Sequence, residues 1–270
     1  MKISVVMPVA RVDDFLLLTL DSVSQQTFDD FELIVVCSSD IYTDISKIFD
    51  TKKFPFPCKI IHTNLRGVAF AANLGISHAQ GEFIARWDSD DLCDSNRLGC
   101  QLEEFERDES LGVVGSRVVI IDEVGRPNQF QNYKFYPDNK SIRRVLKYRQ
   151  PLLHSSLMFR SKILFDNKGY LYGHTSEDHE LFIRIARNKN IVFKNISDVV
   201  TYYRRHSSQL SDVSNQYIHF YEISGFMFTE FLRTWNILYV LGMIVNIPAL
   251  RRVRYHYRAI SKYFSKEDVI

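Results

Sequence analysis

Residues 81–92 read GEFIARWDSDDL, and the nine positions from Phe83 to Asp91 decide how the chain is read. An apolar run at 83–85 leads through Trp87 into three carboxylates, Asp88, Asp90 and Asp91. Strands buried on both faces read as unalternating apolar runs, and parallel α/β sheets place their ligand sites at strand carboxyl ends. The stretch is therefore expected to be a core strand that delivers acid to a site. Two acids one residue apart can aim their oxygens at a single hard cation such as Mg²⁺ or Mn²⁺. The plainer reading of the same acids is a solvated turn, or Asp91 or Asp94 capping the helix that follows. An EF-hand loop starting at Asp88 is excluded, because Cys93 and Gly99 stand where Gly and Glu are required.

Working outward, the same texture recurs upstream at residues 3–9, 31–36 and 59–61. Between these strands lie helical patterns at 13–26, 41–50 and 68–79. In the first helix Phe15, Leu16, Leu20 and Val23 form an apolar face near the 3.6-residue period. Alternation of strand and helix with continuous apolar strands predicts a mainly parallel sheet covered on both faces. Downstream, 113–121 and 154–159 are expected strands, 178–188 a helix and 191–195 a strand. Residues 128–150 are expected to be loop with one short helix. After 211 the texture is helical and aromatic. The apolar stretch 237–247 ends at Pro248, Arg251 and Arg252, about half the ~20 residues that span a bilayer. It suits a core helix, and equally a helix lying in the membrane interface with its basic flank.

A chain of 270 residues, 46% hydrophobic, can bury a full core. A net charge of +2 from 34 basic and 32 acidic residues excludes a dedicated nucleic-acid binder. Four cysteines without CxxC pairing point to a reducing compartment. The start of the chain carries one Lys and an apolar run broken by Pro8, so it reads as a first strand and not a signal peptide. The expected location is cytoplasmic.

Six segments in order carry a resemblance: ISVVMPV at 3–9, LDSVSQQTFDDFELIVV at 20–36, NLGISHAQGEFIARWDSDD at 73–91, HSSLMFRSKIL at 154–164, SEDHELFIRIA at 176–186 and VTYYRRHSSQLS at 200–211. Together they resemble family 2 glycosyltransferases of the GT-A fold, which build bacterial surface polysaccharides. The resemblance implies a Rossmann-like, mainly parallel sheet flanked by helices over 1–211. By its own apolar and basic texture, 212–270 is expected to be a helical C-terminal extension able to associate with a membrane. The resemblance also implies an inverting, metal-dependent transfer of a hexose or N-acetylhexosamine from a nucleotide-sugar, UDP-linked, to a hydroxyl of a growing or lipid-linked glycan. Asp88 would lie near ribose and metal, Asp90 would be the principal ligand of Mn²⁺ or Mg²⁺, and Asp91 would orient the loop. In the Glu177-Asp178 pair, Asp178 would be the general base. A helix start favours its ionised form and burial opposes it.

Other assignments follow the same match. Pro8 and Val9 would sit beside the base, with Ser89 near the nucleotide-sugar. His206 would complete the metal shell or donate with Arg204 to the diphosphate, a surface loop being the alternative. His154 would line the acceptor side or serve the fold. Arg66 would reach the nucleotide or diphosphate, while Asn73 would contact the donor or tie down a loop. One departure stands out. Acidic residues usual after the second strand are replaced by Cys37-Ser38-Ser39-Asp40, so Ser38 and Asp40 become the candidates there. A nucleotidyltransferase is the competing enzyme class, but PVARVDD lacks its glycine-rich phosphate loop. A non-catalytic glycan binder would need neither acid set. A Rossmann dehydrogenase is excluded by the absence of GxGxxG after the first strand.

Overall fold

A computed structural model describes residues 1–171, 175–207 and 216–250, with the side chains of 129–132 left aside. The first half alternates as expected: β1 (Ile3–Val9), α1 (Asp14–Ser24), β2 (Phe31–Ser38), α2 (Tyr42–Thr51), β3 (Cys58–Thr63), α3 (Val68–His78) and β4 (Phe83–Arg86). All three pairings among these strands are parallel, with Val5 opposite both Leu33 and Ala85. Asp13 starts α1 by accepting from the Leu16 amide at 3.0 Å.

The strand order is β3-β2-β1-β4 and then β8-β6-β9-β5, with β7 beside β6. The chain steps outward from β1 to β3 and returns to β4 on the other side of β1. That reversal opens a crevice at the carboxyl ends of β1 and β4, where α/β sheets bind ligands. The second half comprises β5 (Leu92–Cys93), α4 (Arg97–Arg107), β6 (Leu111–Ile121), β7 (Pro127–Asn132), α5 (Asn139–Leu146), β8 (Met158–Arg160), α6 (Ser161–Asp166), α7 (Glu177–Ile185), β9 (Val192–Arg204), α8 (Gln216–Thr234) and α9 (Ile237–Asn246). β6 and β9 are parallel, whereas β5, β7 and β8 pair antiparallel.

Strand residues alternate between two cores. Val5, Met7 and Val35 pack under α1, α2 and α4 with Leu16, Ile45 and Phe105. Val6 and Ile84 face α3, α5 and α7 with Ile76, Ile142 and Phe182. Ile223, Met227 and Tyr239 of α8 and α9 join this second core, so the C-terminal helices share the interior beneath the sheet. The expected boundary at 211 lies outside the described residues.

Three expectations need correction. Residues 154–159 are not one strand: His154–Ser156 form a 3-10 turn, closed by the Ser156 hydroxyl on the Leu153 carbonyl at 2.8 Å, before β8 begins. The strand expected at 191–195 runs on to Arg204, its apolar pattern interrupted by Asn195, Ser197 and Asp198. Residues 128–132, expected as loop, belong to β7, which pairs with β6.

The turn into β4 depends on a close backbone approach. Gly81 donates to the Ser4 hydroxyl at 2.8 Å, and Ser4 in turn donates to buried Glu32 at 2.6 Å. A Cβ at Gly81 would lie 2.5 Å from the Ser4 nitrogen and 2.7 Å from the Ile3 carbonyl carbon, both immobile. Gly99, inside α4, has nothing within 4 Å of a Cβ. Gly81→Ala is expected to destabilise the fold by about 1–3 kcal/mol. Gly99→Ala is expected to stabilise it by about 0.5–1 kcal/mol. Thermal melts of the two variants check both signs.

Candidate active site

β4 ends where the crevice opens. Trp87 is fully buried and still donates to the Val6 carbonyl at 3.1 Å, so the chain leaves the sheet only at Asp88. Beyond it Asp88, Asp90 and Asp91 bring one carboxylate oxygen each within 4.8 Å of one another. Three buried guanidinium groups stand behind them. Arg86 donates to Asp88 at 2.6 Å. Arg97 lies 4.5 Å over the Trp87 ring and donates to the Arg86 carbonyl at 2.8 Å. Arg204, at the end of β9, donates from its side chain to the carbonyls of Asp90 (2.9 Å) and Glu123 (2.8 Å), and its guanidinium lies 4.9 Å from the Phe15 ring centre. Buried inside this loop, the Arg204 side chain braces the acid loop from within.

The three acids differ by their partners. Asp91 is fully buried and accepts from the Ser155 hydroxyl and from the Arg204 amide at 2.9 Å. It does not cap α4, whose first turn follows Asn96. Burial, then the charges of Asp90 and Asp88, raise the Asp91 carboxyl well above the usual range. Asp88 is also raised by burial, with Arg86 opposing and Asp90 reinforcing. His206 approaches Asp90 Oδ2 with its Nε2 at 2.9 Å and packs on Phe15 at 4.9 Å, with the Arg11 guanidinium 3.4 Å from the ring. The ring therefore reaches the acid cluster through Asp90. Crowded hard oxygen donors of one sign fit a small divalent cation.

Glu177 and Asp178 occupy the first turn of α7. Burial pushes Asp178 up to about 6. The nearby Gln150 amide and the His179 backbone N–H pull it down, and Asp88 pushes it up again. Burial and then Asp178 raise Glu177 to about 7. At this helix start, burial outweighs the favourable dipole. Asp88 is close enough to both residues for its charge to act on them.

The start of α7 is held by a helix that sequence reading did not connect to it. The Thr175 amide and hydroxyl each donate to Glu222 of α8 at 3.1 Å, and the Ser176 hydroxyl meets His219 Nδ1 at 2.8 Å. A polar turn of α8 facing an acid pair was the available signal. His154 Nε2 meets the Tyr170 hydroxyl at 2.5 Å, and burial, aided by Arg86, lowers its pKa well below the ordinary value. It is a neutral, hydrogen-bonded histidine inside the fold.

On the opposite wall, Pro8 and Val9 close β1, and Ser38 closes β2. The Ser38 hydroxyl first, then Asp40's own amide and, more weakly, Arg66, hold Asp40 below the usual carboxylate range, which gathers these three residues at one end of the sheet. Ser89 lies in the turn between Asp88 and Asp90. Asn73 exchanges two 2.8 Å hydrogen bonds with the Tyr170 backbone, so its amide ties α3 to that loop and is not left for a donor.

A reversing parallel sheet with acids at β4 and a second acid pair across the crevice defines a GT-A-type glycosyltransferase. The chain belongs to glycosyl transferase family 2, whose sequence profile matches residues 4–167. It is 29% identical over 246 residues to the O-antigen biosynthesis glycosyltransferase WbnJ of Escherichia coli, covering 90% of this chain and 94% of that one. Over 191 residues it is 24% identical to the Escherichia coli UDP-Gal:alpha-D-GlcNAc-diphosphoundecaprenol beta-1,3-galactosyltransferase, covering 69% and 68%. Among solved structures, S. aureus TarS in complex with UDP-GlcNAc aligns at TM-score 0.64 and 19% identity, over 84% of this chain and 66% of that chain. The mannosyltransferase PcManGT of Pyrobaculum calidifontis, in complex with GDP-Man and Mn²⁺, aligns at TM-score 0.66 and 17% identity over 97% and 75%.

The raised acids of α7 carry a stability cost with a defined sign. Because folding raises their pKa, the folded state holds these protons more tightly. Their contribution is therefore favourable at low pH and is lost as pH rises from about 4 through 6 and 7. Asp178→Asn and Glu177→Gln are expected to stabilise the fold by about 1–3 kcal/mol at pH 8. The gain should vanish at pH 4, as denaturant titrations at the two pH values would show.

Proposed function

We propose that the protein is an inverting, metal-dependent glycosyltransferase. It moves a hexose or N-acetylhexosamine from a UDP-sugar to a hydroxyl of a growing, lipid-linked surface glycan of the O-antigen, capsule or lipooligosaccharide type. The observation that supports this reading is the proximity of the two acid sets, Asp88 lying close enough for its charge to act on both Glu177 and Asp178. The names of the Escherichia coli relatives support the glycan class and the lipid-linked acceptor. The UDP-GlcNAc complex of TarS supports the donor, and the Mn²⁺ complex of the mannosyltransferase supports the ion.

Asp88 and Asp90 would hold Mn²⁺ or Mg²⁺, with His206 beside Asp90 completing the shell. Such an ion, when bound, offsets charge on a departing diphosphate. The chain's own residues do the rest. Pro8 and Val9 wall the base, while Ser38, Asp40 and Arg66 bind at its edge and Ser89 borders the donor. Asp178 takes the proton of the acceptor hydroxyl as that oxygen bonds to the anomeric carbon and the bond to the diphosphate breaks on the opposite face. That geometry inverts the anomeric centre. Glu177, raised to about 7, holds its proton below neutral pH and leaves Asp178 to carry the charge.

The C-terminal helices suit peripheral attachment to the inner face of the plasma membrane. Among the described residues no helix is long and apolar enough to cross a membrane. Yet Phe228, Leu232, Trp235, Ile237 and Leu241 are exposed on α8, α9 and their junction. The basic run Arg251, Arg252, Arg254 and Arg258 follows in the sequence but lies outside the described residues.

Release of UDP from a panel of UDP-sugars with Mn²⁺ or Mg²⁺ tests the enzyme. Asp178→Asn should retain donor binding and lose at least about a hundredfold in turnover. Asp90→Ala should weaken ion and donor together, and unchanged UDP affinity in Mn²⁺ would remove Asp90 from that role. The acid limb of kcat/KM should fall near pH 6, with activity rising as pH increases through it. For the membrane, Trp235→Ser with Ile237→Ser should abolish co-flotation with anionic vesicles, and equal flotation of both proteins would end that part of the proposal.

A further inference from the structure

Beside Asp178 stands an amide whose two polar atoms make no well-formed hydrogen bond. Both side-chain polar atoms of Gln150, Nε2 and Oε1, are buried and lack a hydrogen-bond partner among the described residues. The amide lies next to the Asp178 carboxylate without meeting hydrogen-bond geometry to it. Burying an amide with both ends unpaired costs about 1–3 kcal/mol per group, and native folds rarely leave such a group without a reason. Nor is the segment free to swing. Gly242 of α9 packs so closely that a Cβ there would lie 2.7 Å from the Lys147 carbonyl oxygen and 3.0 Å from the Tyr148 Cα, just before Gln150. Tyr133 and Tyr170 are close enough to Asp178 for its charge to act on their hydroxyls.

We infer that Gln150 reads the acceptor: its amide holds the hydroxyl adjacent to the one that Asp178 deprotonates, on an uncharged sugar with two neighbouring hydroxyls. An amide offers one donor end and one acceptor end, which matches a hydroxyl that both donates and accepts. The charge on the Asp178 carboxylate opposes a uronate or a phosphorylated sugar at this position. The inference rests on the reading of Asp178 as the acceptor-side base. A site built to pair a substrate hydroxyl discriminates strongly against an analogue that lacks it.

Two measurements test this. The first is thermal melting of the ligand-free protein. Gln150→Met and Gln150→Leu remove an unpaired amide, so at least one should melt higher than the parent. If both melt lower, the amide has a partner within the protein and the inference is overturned without any acceptor being needed. The second uses the active UDP-sugar with phenyl glycosides of galactose, glucose and N-acetylglucosamine, together with their monodeoxy counterparts. Gln150→Met should lower acceptor kcat/KM by about tenfold to hundredfold on the intact glycoside, and should abolish the preference for it over the deoxy form. Equal losses on intact and deoxy acceptors would mean that Gln150 only supports Asp178, which overturns the inference. Normal transfer by Asp178→Asn would instead remove the acceptor-side reading itself, an outcome distinct from either Gln150 result.

Discussion

Three carboxylates at the end of one buried strand are tolerable only because three buried guanidinium groups stand behind them. Taking a charge out of water costs several kcal/mol, and attraction within the protein offsets it only where geometry and hydrogen bonding are good. Arg86 answers Asp88 directly, Arg97 supports Arg86 through its carbonyl, and Arg204 grips the loop from β9. The compensation stays partial, since Asp88 and Asp91 both remain raised. A cluster left short of positive charge on its open side attracts a cation there, which ties the electrostatics of the resting fold to the chemistry proposed for it.

The same arginines couple the two halves of the sheet. Arg97 begins α4 yet reaches the carbonyl of Arg86 in β4, and Arg204 belongs to the last strand yet donates its amide to Asp91. β5 lengthens this contact by pairing Leu92 with Tyr202. The loop between β4 and β5 is thus clamped from two elements distant in sequence. Asp178 depends in a comparable way on α8, through His219 and Glu222. A C-terminal extension that reads as an appendage in sequence supports the proposed base from behind.

How much of this was legible follows from the physics of each signal. The strands β1 to β4 were legible because burial on two faces enforces continuous apolar runs, and the two acid sets because their spacing is local. β9 was cut short in reading because Asn195, Ser197 and Asp198 break the pattern, while its pairing with β6 comes from tertiary contact. The roles within DSDD were legible only in outline. Asp91 is distinguished from its neighbours by the Ser155 hydroxyl and the Arg204 amide, residues far away in the chain. Asn73 and Arg204 look like ligand groups in sequence and also brace backbone in the structure, because a polar residue shows its type in sequence but not its partner. Gln150 carried no sequence signal at all; only its missing partners single it out.

The stability cost at the cleft is spread unevenly, and the distribution is informative. Glu32 beneath the sheet accepts from Ser4 at 2.6 Å and from the Gln80 amide at 2.9 Å, and Glu180 is bidentate with Arg184 at 2.7 Å, so buried acids away from the crevice are fully answered. Within the crevice, Asp88, Glu177 and Asp178 are raised, and both ends of the Gln150 amide are unpaired. A fold able to satisfy Glu32 and Glu180 has no general difficulty with buried carboxylates. Raised carboxylates gathered just past β4 and at the start of α7 therefore mark where unfavourable charge is concentrated in this fold, and where a bound cation and substrate would offset it.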